Sequence, residues 1–87
     1  MYNINLSDKA TQFFEAASAK LQERLDRAFE LLKSNPRFHP NIKPLKGNYS
    51  GYYRYRVGDY RIVYSINDET MQVLVATIAH RGEVYDS

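Results

Sequence analysis

The sequence contains no cysteine. That absence excludes a disulfide framework, thiolate zinc ligation and a cysteine nucleophile. Long apolar runs are missing as well. No stretch approaches the roughly 20 residues needed to cross a bilayer, and the opening MYNINLSDK lacks a basic n-region and a long apolar h-region. A cytoplasmic protein without a signal peptide is therefore expected. Gly47, Gly51 and Gly58 do not form a phosphate-cradling loop, which disfavours nucleotide hydrolysis. No carboxylate pair or His/Asp/Glu cluster has the spacing of a metal site, so two-metal phosphodiester cleavage is disfavoured and neither metal nor cofactor is expected. The 87 residues predict one domain over 1–87, with a modest core and any site on the surface.

Acidic residues are scarce in one part of the chain. Residues 33–64 hold Lys33, Arg37, Lys43, Lys46, Arg54, Arg56 and Arg61 against Asp59 alone. The flanking thirds are mildly acidic, so the formal net charge of +2 conceals a basic middle. A clustered field of this kind favours a polyanionic partner, nucleic acid being the commonest, although a solvated basic surface would have the same composition.

Hydrophobic periodicity supplies the elements. Residues 2–6 alternate and predict a first strand. Ser7 and Ser18 are N-cap candidates, each preceding apolar residues at helical spacing: Ala10, Phe13, Phe14 and Ala17, then Leu21, Leu25, Ala28, Phe29 and Leu32. Pro36, Pro40 and Pro44 end the second helix and hold an extended connection. Strands at 52–57 and 60–66 flank Gly58-Asp59, a hairpin signal suited to a type II′ turn. A second turn at 67–70 precedes the most apolar strand, 71–79, expected to be central and covered on both faces. The order β-α-α-β-β-β predicts an α+β fold, a two-helix hairpin packed on a small antiparallel sheet.

A two-residue turn fixes hairpin register. Val57 then faces Tyr60, Arg56 faces Arg61, Tyr55 faces Ile62 and Arg54 faces Val63. Side chains alternate across a strand, so Arg54, Arg56 and Arg61 share one side. Tyr53, Tyr55, Val57, Tyr60, Ile62, Tyr64 and Ile66 share the other, which should meet the helices. Opposing Arg56 and Arg61 costs about 0.2–1 kcal/mol of strand pairing. Arginines that only discourage edge aggregation would not need to cluster. A site for a multiply charged anion is the better account, because guanidinium groups match phosphate geometry. Lys43 and Lys46 extend the basic region, and His80, Arg81 and Tyr85 follow the last strand.

With metal and nucleotide chemistry disfavoured, these groups suit metal-free RNA cleavage, in which the 2′-hydroxyl attacks the adjacent phosphate. Cations must surround the developing charge, and a base and an acid must move protons. Arginines fill the first role but stay protonated and cannot act as the base. Tyr85 or His80 must supply proton transfer, or the enzyme relies on positioning.

The segment PLKGNYSGYYRYRVGDYRIVYSI, followed by an apolar strand and a terminal HRGEVY, resembles RelE-type toxins of the RelE/ParE toxin–antitoxin superfamily. The resemblance covers essentially the whole chain. It implies a cytoplasmic toxin that enters the ribosomal A site and cuts mRNA there without a metal, contacting mRNA and 16S rRNA on the 70S ribosome. It also implies a cognate RelB-like antitoxin, through which alone operator DNA would be bound, and no membrane association. Lys46, Arg54, Arg56, Arg61, Arg81 and Tyr85 fall on the family's functional positions. Arg61 and Arg81 would stabilise the scissile phosphate, and Tyr85 would stack on or orient the nucleotide. At 54 and 56 the best-known members carry lysines, and arginine removes any route to a general base there. Two other readings compete: a ParE-like inhibitor of DNA gyrase acting by binding, and a noncatalytic nucleic-acid-binding module.

Overall fold

Ser7 and Ser18 start the helices as the sequence predicts. In the computed structural model, which describes residues 1–83, helix α1 spans Asp8–Ala16 and α2 spans Ala19–Ser34. The Ser7 hydroxyl oxygen accepts the Ala10 N–H at 3.1 Å, and that of Ser18 accepts the Leu21 N–H at 3.2 Å. Each bond satisfies a donor that has no partner within the helix. Gln22 Nε2 donates to the Phe14 carbonyl at 2.8 Å, and the Phe14 and Phe29 rings meet at 6.1 Å, which ties the two helices together. Leu25, Ala28, Phe29 and Leu32 turn inward from α2, and Ala10 from α1.

These faces bury against a five-stranded sheet of order β1-β5-β4-β3-β2, with β1 Asn3–Leu6, β2 Ile42–Pro44, β3 Tyr52–Val57, β4 Tyr60–Asn67 and β5 Gln72–His80. The α+β class is as expected, and the sheet adds two features. β1 pairs with β5 in parallel, Ile4 beside Val73 and Leu6 beside Val75. A short additional strand, β2, covers the outer edge of β3. Ile62, Tyr64, Val73, Val75 and Ile78 form the sheet's half of the core. Full burial of an aliphatic side chain contributes about 1.5–3 kcal/mol relative to exposure, so this cluster is the main source of cohesion.

The expectation for β5 holds in position and fails in cover. It lies between β1 and β4, but Leu74 on its outer face is 49% exposed. A β-bulge also interrupts its alternation, because Val63 pairs with Thr77 while Tyr64 pairs with Val75, leaving Ala76 unopposed. The extra residue returns Ile78 and His80 to the helix side of the sheet. Ser7 Oγ donates to the Ala76 carbonyl at 2.7 Å, so the residue that caps α1 also holds the bulge.

The helices do not cover the tyrosines of β3 alone. Residues 35–41 run back over them as a strap. Tyr64 donates its hydroxyl to the Pro36 carbonyl at 2.7 Å, the Arg37 guanidinium lies 6.0 Å from the Tyr53 ring centre, and His39 packs edge-on against Tyr55. Arg37 secures the strap through a two-pronged contact with Asp68, at 2.8 and 3.2 Å, and Tyr2 donates to the same carboxylate at 2.5 Å.

Candidate functional site

The β3–β4 hairpin has the register that its turn dictates. Arg56 stands opposite Arg61, Arg54 opposite Val63, and Val57 opposite Tyr60. Gly58 carries a φ of +58°, whereas Asp59 does not have a positive φ, the pattern expected of a type II′ turn. On the next strand Lys43 pairs with Arg54. Lys43, Arg54, Arg56 and Arg61 therefore lie on the sheet face that turns away from the helices.

Burial divides the arginines in a way that alternation did not indicate. Arg54 and Arg61 are only 8% and 5% exposed, whereas Arg56 is exposed. Arg54 Nη1 donates to the Asn41 carbonyl at 3.0 Å. The backbone N–H of Arg56 donates to the same carbonyl at 3.0 Å, and Arg56 Nη2 reaches Asn41 Oδ1 at 3.4 Å. Arg61 Nη1 instead turns toward the hairpin tip and donates to the carbonyls of Gly58 and Tyr60, each at 3.1 Å. The opposed pair is tolerated because its two guanidinium groups are drawn in opposite directions, one to Asn41 and the other to the turn. Charge-assisted bonds of this kind hold a cation in place without neutralising it.

Arg81 follows β5. Its N–H donates to the Asp59 carbonyl at 2.7 Å, while its guanidinium stays well exposed, 4.0 Å from the Asp59 carboxylate. Contacts of that length between exposed groups are weak, so Arg81 remains available to an anion. Lys43 and Lys46 are exposed at the β2 side of the face. His80 belongs to the opposite side, where it pairs with Tyr60 and packs edge-on against that ring at 5.6 Å. The bulge at Ala76 is the reason, and it separates His80 from the arginines by the thickness of the sheet. Tyr85 lies outside the described residues.

Asn41 was missed at the level of sequence. It is the group that orients Arg54 and Arg56, and its own N–H donates to His39 Nδ1 at 3.0 Å. A lone asparagine after a proline gives no pattern by which to find it. The arrangement thus offers fixed cations converging on one face, with two of them largely desolvated. Such a surface can bind and polarise a phosphodiester, because preorganised cations need little rearrangement as charge develops.

A family model described as the ParE toxin of the type II toxin–antitoxin system parDE matches residues 4–85. Toxin RelE of Mycobacterium tuberculosis is 31% identical over 85 residues, covering 97% of this chain and 86% of that protein. Toxin RelE3 of Methanocaldococcus jannaschii is 44% identical over 46 residues, and there the chain spans only 49% of the relative's length. Among solved structures, the toxin–antitoxin complex RelBE2 of M. tuberculosis superposes with a TM-score of 0.78 at 26% identity, covering 92% of this chain and 98% of that one.

Proposed function

The chain belongs to the RelE/ParE family of type II toxin–antitoxin toxins, and from that premise we propose that it is a ribosome-dependent, metal-independent mRNA endonuclease. The observation that carries this reading is the arginine face, where Arg56 and Arg61 are directly opposed and Arg54 and Arg61 are largely withdrawn from water. A protein gains no stability from opposed guanidinium groups, but a phosphodiester in flight between two oxygens gains from both.

In this mechanism the 2′-oxygen forms a bond to the adjacent phosphorus and the bond to the 5′-oxygen breaks. A 2′,3′-cyclic phosphate remains on one fragment and a 5′-hydroxyl on the other. Arg61 and Arg81 hold the non-bridging oxygens and stabilise the charge of the transition state. Arg56 supplies a further contact from the open edge, while Arg54 holds the register of the face from beneath. Lys43 and Lys46 steer the strand toward it. A proton must leave the 2′-hydroxyl and another must reach the 5′-oxygen, a task that falls to Tyr85, since His80 faces the helix side. The reaction takes place in the cytoplasm, where ribosomes are found. A RelB-like antitoxin is the main protein partner, in keeping with the toxin–antitoxin complex among the similar structures.

The ParE description of the family model supports a second reading, gyrase inhibition by binding alone. In vitro translation separates the two. Wild-type protein should produce mRNA cuts spaced by codons on translating ribosomes, and Arg61→Ala and Arg81→Ala should each lower cleavage by about 10²–10³-fold, the loss typical of one removed charge-stabilising group. Uncut mRNA together with inhibited DNA supercoiling would overturn the nuclease reading in favour of the second.

A further inference from the structure

Beyond the arginine face, a second basic surface begins at the hairpin tip. Gly58 is pressed against Arg24 of α2: a Cβ at this glycine would lie 2.2 Å from Arg24 Nη2. The helix thus sends a guanidinium across to the turn between β3 and β4. There it joins Arg61, bonded to the Gly58 carbonyl, and Arg81, bonded through its backbone to Asp59. Cations from three separate elements meet at a two-residue turn whose only carboxylate is Asp59. Among the described residues no hydrogen bond or ion pair engages the Arg24 guanidinium.

Arg24 is also the middle of a stripe. Lys20 and Arg27 stand one turn away on either side, at i−4 and i+3, and both are exposed. Glu23, Asp26 and Glu30 occupy the adjoining stripe, and Glu30 is engaged by Lys33 at 2.7 Å. The charge of residues 1–32, slightly negative as a sum, is therefore sorted in space, its cations gathered toward the hairpin tip.

We propose that Lys20, Arg24 and Arg27 bind the phosphate backbone of a second RNA segment, a structured one lying beside the strand that is cut, so that the RNA footprint passes over the hairpin tip onto α2. This rests on the nuclease reading above. An RNA backbone fits better than a protein, because the stripe is cationic and carries no exposed apolar anchor such as the centre of a protein interface requires. Arginine and lysine at one-turn spacing, continuous with a phosphate-binding face, match a polyanion instead.

The test measures binding of 70S ribosomes programmed with a short mRNA over a series of salt concentrations. Wild type is compared with the triple variant Lys20→Gln, Arg24→Gln, Arg27→Gln, in which glutamine preserves helix propensity. The triple variant should bind ribosomes about tenfold or more weakly and lower the salt slope by about two units, roughly 0.7–0.9 per lost phosphate contact. The loss should appear in KM for ribosomes rather than in kcat, and Arg24→Lys should retain most of the affinity. If wild type binds and the triple variant binds equally with an unchanged slope, this surface is not an RNA contact while the nuclease reading survives. If only binding of the antitoxin is weakened, the stripe belongs to the protein partner and the proposal is overturned. A wild type that does not engage ribosomes defeats the nuclease reading itself, and this surface with it.

Discussion

Tyr64 shows how much one side chain can hold in a protein of this size. Its ring is fully buried, stacks against Tyr53 at 5.8 Å, and its hydroxyl reaches the Pro36 carbonyl at 2.7 Å. Burial pushes its ionisation well above that of an ordinary tyrosine. The neutral form is therefore favoured in the folded state. Its contribution to stability is complete below the unfolded value of about 10 and is lost as pH rises toward the folded value. Tyr64→Phe keeps the ring and leaves a buried carbonyl without its donor, which should cost about 1–3 kcal/mol. Chemical denaturation at neutral pH checks the cost, and a series above about pH 10 should show a shallower alkaline loss in the variant than in wild type. At this scale the sequence was partly legible. Alternation assigned every hairpin residue to its correct face, yet it could not reveal that Arg54 and Arg61 are nearly inaccessible, because periodicity tells which way a side chain points and not what covers it.

The elements were legible where a local rule sets them. Two serines cap two helices, and a Gly-Asp turn fixes a register. They were illegible where distant segments decide. The parallel pairing of β1 with β5 joins opposite ends of the sequence, and the three-residue β2 is too short to show a period. The bulge at Ala76 lies within a run of apolar residues with no glycine to mark it, and it decides which face His80 occupies. The strap was visible only as a proline-rich connection. It now has a defined fastening: the Arg37 guanidinium, hydrogen-bonded to Asp68, and then the Tyr2 hydroxyl hold that carboxyl below the usual carboxylate range. The ionised form is thus favoured on folding. Its contribution is present above the unfolded value of about 3.9 and disappears as pH falls through the lower folded value. Asp68→Asn should lower the thermal midpoint modestly at neutral pH, and the difference from wild type should vanish in strong acid. A difference that persists unchanged at about pH 2 would mean that the fastening does not depend on the charge of Asp68.

Across the whole molecule, the basic residues of the middle of the chain and those of α2 arrive at one end of the sheet, while Asp68 and Glu69 lie in the turn between β4 and β5 at the other. The fold therefore converts a nearly neutral composition into a polarised particle, a form suited to oriented approach to a polyanion. The parallel β1–β5 pair has a mechanical consequence. Tension applied between Met1 and Gly82 draws these strands along their length in opposite directions, loading the ladder bonds of the register Asn3–Gln72 through Leu6–Val75 together, in shear. Tension applied between Met1 and Thr70 enters both strands at the same end and breaks the bonds one after another. In an optical trap the first pair of handles should require the greater unfolding force. The chain's first strand would then act as a tether that resists pulling along its length and yields readily to peeling, so that how easily the toxin is dismantled depends on the direction from which it is drawn.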